Sequence, residues 1–204
     1  FDVKGLTTQS RHTLELEKVY VELQIAQEQF QDNVRGTFPN SGREGQDIWS
    51  YMTTYEHPLV ILGPPGSGKT TLLRSMVLQL LTKRTHQETG LPGGTIPIFL
   101  HLRDLVDRIS QNPRSSLADM VNHHLEQINI QLEKGSGTPQ ERPPDDWIAR
   151  QIKNNRCLIV LDGLDEVADS LIRRQIVEWV QGLFKEHGDN RFVVTSRPGG
   201  YIAN

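Results

Sequence analysis

Residues 58–81 read PLVILGPPGSGKTTLLRSMVLQLL: an apolar run from Pro58 to Leu62, a glycine-rich turn from Gly63 to Thr71, and a leucine-rich stretch from Leu72 to Leu81. A short apolar run bounded by turn residues predicts a buried strand, and the stretch after the turn predicts a helix over 69–81. The spacing Gly63-x-x-x-x-Gly68-Lys69-Thr70 lies between them. Gly63, Gly66 and Gly68 supply positive-φ or crowded conformations, so successive amide N–H groups can point inward at an anion. The N-terminus of the following helix adds partial positive charge to the same spot. Strand, glycine loop and helix in this order match the Walker A pattern, which an incidental surface turn would not require.

The loop residues Gly63, Pro64, Pro65, Gly66, Ser67, Gly68, Lys69, Thr70 and Thr71 are therefore expected to cradle a nucleotide. Lys69 reaches the β and γ oxygens, Thr70 places its hydroxyl on Mg²⁺, and Thr71 is next in line for the α-phosphate.

Downstream, strands and helices alternate: a strand at 96–102, helices in 104–110 and 115–132, a strand at 157–162, a helix at 169–186 and a strand at 191–196. That rhythm predicts a parallel sheet. IPIFL (96–100), CLIVL (157–161) and FVVT (192–195) are continuous apolar runs, as strands covered on both faces should be. Pro97 removes a ladder donor and points to an edge position or a strand start. A short helix is expected from Asp47 to Tyr55. Gly135 to Pro144, dense in Gly, Pro and charge, reads as an insertion loop. Upstream, Val19, Val21, Leu23 and Ile25 alternate with polar residues and predict a half-buried strand in an N-terminal arm, and 26–45 reads as a linker.

LIVLDGLDE (158–166) puts Asp162 where an apolar strand meets its loop, at the carboxyl end of the sheet. Asp162 is expected to coordinate Mg²⁺ through water, with Asp165 and Glu166 placed to orient or deprotonate the water that attacks the γ-phosphate, Glu166 first. The competing reading is that the two acids merely cap the next helix. RFVVTSR (191–197) repeats the arrangement, and Ser196 or Arg197 could sense the γ-phosphate, an arginine fork being well matched to phosphate oxygens. Adjacent His123 and His124 splay apart on a helix and read as a surface pair, while His101, at a strand terminus, is the histidine with more functional promise. Trp147, Ile148, Ile152 and Leu158 read as packing, as do Leu171, Ile172, Ile176, Trp179, Val180 and Leu183, with Arg173 and Arg174 on the wet face.

The composition sets bounds. At 204 residues, 36% of them apolar, the chain can bury one sizeable core. A formal charge of −3 disfavours a dedicated nucleic-acid binder. Cys157 is the only cysteine, which excludes an intrachain disulfide and a cysteine-rich metal site and fits the cytoplasm. The apolar runs fall short of the ~20 residues of a membrane span.

With these motifs in this order, the sequence resembles a NACHT domain, a signal-transduction NTPase of the STAND class of P-loop NTPases. The resemblance rests on LGPPGSGKTTLLR (62–74), on Gly163 after Asp162 with acids at +3 and +4, on IPIFLHLR (96–103) and on FVVTSR (192–197). It covers roughly residues 44–204, leaving 1–43 as arm and linker, and KVYVELQ (18–24) resembles a strand found upstream in bacterial members. It implies a three-layer α/β domain that holds ADP at rest and exchanges it for ATP, with Mg²⁺, to self-associate through NACHT domains. Such switches often serve immune or antiphage signalling. The family continues past the sensor strand into a fifth strand, a small helical domain and a winged helix, so the domain is expected to be incomplete at its C-terminus. With the family's order 5-1-4-3-2, the Walker A strand becomes an edge, which predicts poor solubility or dimerisation.

Four other readings compete. An AAA+ ATPase shares the sheet and both motifs. A small-molecule kinase would want an arginine-rich lid, and a GTPase an Asn-Lys-x-Asp reader that the sequence lacks. A non-hydrolysing scaffold would use nucleotide structurally.

Overall fold

The computed structural model of the chain describes residues 48–54, 58–82, 89–134, 143–144 and 146–198, with side chains up to residue 130 in the third of these segments. The N-terminal arm, its strand at 18–25 and its linker lie outside the described residues, as does most of the 135–144 loop.

Among the described residues four parallel strands form the sheet: β1 (Leu59–Leu62), β2 (Ile96–His101), β3 (Cys157–Asp162) and β4 (Arg191–Ser196), in the order β1-β4-β3-β2. This is the order expected for these four strands, with β1 and β2 at the edges among the described residues. Pro97 is accommodated because, among the described residues, β2 has only β3 beside it; it sits second in the strand, opposite Leu158. Among the described residues six helices accompany the sheet: α1 (Ile48–Thr54), α2 (Lys69–Leu81), α3 (Val106–Gln111), α4 (Leu117–Lys134), α5 (Trp147–Lys153) and α6 (Ser170–His187). Tight 3-10 turns at Leu102–Leu105 and Leu164–Glu166 follow β2 and β3 directly.

Successive residues of a strand point to opposite faces, and here both faces are apolar. Ile98 and Leu100 of β2, Cys157, Ile159 and Leu161 of β3, and Phe192 and Val194 of β4 pack with α3, α4, α5 and α6. Leu158, Val160, Val193 and Ile61 face the other way, against Ile48, Trp49 and Met52 of α1 and Leu72, Leu73 and Met76 of α2. The result is a three-layer α/β domain, as the uninterrupted apolar runs imply.

The structure differs from the sequence reading in several details. The 96–102 strand stops at His101, because Leu102 turns inward, fully buried, to open the 3-10 turn. Helix α5 arises where only packing residues were recognised: Ile148 and Ile152, four apart, bury one face while Ala149 and Arg150 stay exposed. Leu171 is 73% exposed rather than packed, since it lies in the first turn of α6, outside the Ile176–Trp179–Val180–Leu183 stripe. Arg173 is not simply a wet residue: its Nε donates to Val167 O at 3.0 Å and closes the turn before α6. His124 is half-buried rather than on the open surface; burial lowers its pKa, Asp104 opposes that, and His101 and His123 reinforce it.

Candidate functional site

The chemistry collects at the carboxyl ends of the strands because parallel strands end on one edge together. The loop from Gly63 to Gly68 leaves β1 there. Its first amide donates to Ser196 O of β4 at 3.3 Å, Ser67 N–H donates to Pro64 O at 3.3 Å, and Leu72 N–H donates to Gly68 O at 2.8 Å as α2 begins. Gly66 and Gly68 adopt φ of 74° and 85°, conformations that side chains disfavour. At Gly63 the constraint is space: a Cβ there would lie 2.7 Å from Ser67 Oγ. The glycines therefore occupy the conformations expected of a cradle.

Lys69 folds back over this loop, its Nζ donating to Gly63 O at 2.7 Å and Pro64 O at 3.0 Å. Pro64 to Ser67 are exposed, and Thr71 is exposed on the first turn of α2. Glycine amides, an ammonium, hydroxyls and a helix N-terminus form a donor set suited to phosphate oxygens.

Asp162 ends β3, 3% exposed. Its Oδ2 accepts from the Thr70 hydroxyl at 2.9 Å, joining the loop motif to the acidic motif, and its Oδ1 accepts from the Thr195 hydroxyl at 2.5 Å. His101 Nδ1 stands 3.3 Å from Oδ2. Burial pushes this carboxyl up, but the hydrogen bonds from His101, Thr195 and Thr70, with the nearby His101 charge, outweigh burial and hold it below the ordinary aspartate value. A carboxylate beside a hydroxyl fits a hard divalent cation, so Thr70 and Asp162 are suited to hold Mg²⁺. Thr195 also accepts from Gly163 N–H at 2.9 Å, and so fixes the turn as well as the carboxylate.

Gly163 has φ 82°, and a Cβ on it would lie 3.0 Å from Glu166 Cδ. The tight turn that follows separates the two acids. Asp165, its side chain 8% exposed, pairs with Arg197 Nε at 2.7 Å and also accepts from the Arg197 amide at 2.8 Å. Glu166, 37% exposed, pairs with Arg103 at 2.9 Å. Neither caps the next helix. That role falls to Asp169, whose carboxylate accepts from Leu171 and Ile172 N–H.

Lys69, Thr70, Asp162, Asp165, Glu166 and Arg197 are thus brought to one edge. Sequence reasoning did not foresee the Thr195 bridge, the Arg103–Glu166 pair or the His101–Asp162 contact. All three depend on strand register, His101 standing directly opposite Asp162, and the only signal for them in the sequence was a polar residue at a strand end. A hollow of about 450 Å³ lined by Leu117, Ile152, Lys153 and His187 lies instead near Asn155 and Asp189, which precede β3 and β4, at the other end of the sheet. Among the described residues, no helix is long and apolar enough to cross a membrane.

No curated protein matches the chain. The family profile of the NACHT domain matches residues 57–203, a span that holds every one of these site residues and well over half of the chain. The chain belongs to the NACHT family, the nucleotide-binding P-loop NTPase domains of the STAND class.

Proposed function

We propose that the chain binds ATP and ADP with Mg²⁺ and hydrolyses ATP slowly, as the switch of a signalling protein. The observation that carries this reading is the Thr70–Asp162 hydrogen bond of 2.9 Å, which assembles the phosphate loop and the acidic strand end into one site. When bound, Mg²⁺ would supply the positive charge that neutralises charge developing on the phosphates. Loop amides and Lys69 hold the phosphates, and Thr70 and Asp162 are the residues for the cation. Glu166, the more exposed acid, orients the attacking water.

Slow turnover follows from the few charge stabilisers the chain offers the phosphates, Lys69 and Arg197. Both acids also have arginine partners, Glu166 in Arg103 and Asp165 in Arg197. Exchange of Arg197 between Asp165 and a γ-phosphate would make the end of β4 report which nucleotide is bound. ADP/ATP-controlled self-association, a cytoplasmic setting and a role in immune or antiphage signalling extend this reading by resemblance to the family.

Calorimetry on the wild type and Lys69→Ala tests the reading: Mg²⁺-dependent ADP and ATP uptake is expected only in the wild type. Phosphate release by the wild type and Glu166→Gln then separates an enzyme from a scaffold. Equal rates in the two proteins, both at background, would favour the scaffold.

A further inference from the structure

The Asp162 carboxylate has its two oxygens satisfied from different elements. Oδ1 is fixed by the buried Thr195 hydroxyl of β4, and Oδ2 receives Thr70 from α2 and His101 from β2. The proposed function gives the Thr70 oxygen to a divalent cation, which leaves His101 as the donor dedicated to orienting Oδ2. His101 is built for a fixed orientation. Its side chain is 19% exposed, it stands opposite Asp162 in the β2–β3 register, and its ring meets Phe99, two residues earlier on the same strand face, edge-on at 4.9 Å and 79°.

We propose that His101 is a positioning residue for Asp162: through its Nδ1–H it holds the Oδ2 side of the carboxylate in the orientation that a divalent cation requires, and so sets the metal affinity of the nucleotide site. This rests on the proposed function. Partners that orient a ligating group are worth tenfold to a hundredfold in metal affinity, because a misaligned carboxylate must reorganise before it can serve the ion.

The test uses the 204-residue chain, with Mn²⁺ as the probe. Mn²⁺ binding in the presence of ADP is read by electron paramagnetic resonance, and metal-free ADP binding by calorimetry in a chelator. His101→Leu keeps bulk against Phe99 and removes the donor; His101→Asn keeps an N–H near the Nδ1 position. His101→Leu is expected to weaken Mn²⁺ binding by about tenfold while metal-free ADP affinity stays within about twofold, and His101→Asn to recover most of the loss. Mn²⁺ affinity unchanged in His101→Leu, a matching loss in metal-free ADP binding, or an asparagine variant as weak as leucine overturns the proposal. A wild-type chain with no metal-dependent ADP binding overturns the proposed function together with it, whereas failure confined to the variants leaves that function standing.

Discussion

Arg197 meets Asp165 twice, its amide donating to Oδ1 at 2.8 Å and its guanidinium Nε to Oδ2 at 2.7 Å, so the segment leaving β4 is clamped to the turn that follows β3. A guanidinium held through Nε keeps its terminal NH₂ groups for a γ-phosphate, with or without releasing Asp165. Arg197→Ala is therefore expected to weaken a non-hydrolysable ATP analogue by about tenfold, the worth of one charge-assisted hydrogen bond, while ADP affinity moves by less than about twofold. Asp165→Asn, which loosens the clamp without removing the arginine, should retain the preference for the triphosphate. Calorimetry with both nucleotides decides it; equal losses for ATP and ADP in Arg197→Ala would make the arginine a strut instead of a sensor.

What was legible in the sequence was whatever depended on local pattern. Leu59 to Leu62 and Leu72 to Leu81 carry the period and punctuation of a strand and a helix, and Gly66 and Gly68 take the positive φ that their spacing implies. Helix α5 was missed because its seven residues show only one turn's worth of apolar recurrence, too short for a period to stand out. The pairings of the site were illegible for a different reason. Which arginine faces which acid is decided by how β2, β3 and β4 align, and Arg103 reaches Glu166 across 63 positions of sequence that contain no cue to the contact.

Gly163 carries two constraints at once. Its φ of 82° strains any side chain, and a Cβ would crowd Glu166 Cδ at 3.0 Å. Gly163→Ala is expected to cost about 1–2 kcal/mol from the left-handed backbone. Because the crowded neighbour is Glu166 itself, phosphate release should fall by more than ADP binding does. Urea unfolding and a phosphate-release assay measure the two effects; an alanine variant with wild-type stability and turnover would contradict both.

The lowered pKa of Asp162 has a definite consequence for acid stability. Burial disfavours its charge, yet the donors His101, Thr195 and Thr70 prevail, so the folded pKa lies below the ordinary value of 3.8. A depressed carboxyl stabilises the fold above the unfolded pKa and loses that contribution as pH falls through the folded one. Asp162→Asn presents an NH₂ group to donors that need an acceptor, and is expected to cost on the order of 1–3 kcal/mol at neutral pH. The gap between wild type and variant should close as pH drops below 3.8. Urea unfolding across the acid range tests this; a gap that widens on acidification would reverse the sign.

Cys157 opens β3 with 2% exposure, and burial pushes its thiol up from 9.0 to about 11. The folded chain therefore keeps the thiol neutral where the unfolded chain ionises it. Its contribution to stability is complete below pH 9.0, declines as pH rises, and is gone above about 11. Cys157→Ala removes the titration, so the stability difference between wild type and variant should shrink across that window by an amount on the order of 2 kcal/mol. At pH 8 the native thiol should also react with an aromatic disulfide far more slowly than the same thiol in denaturant, since the thiolate is the nucleophile. Rapid labelling of the folded chain would mean that the first residue of β3 opens to solvent well before the domain unfolds.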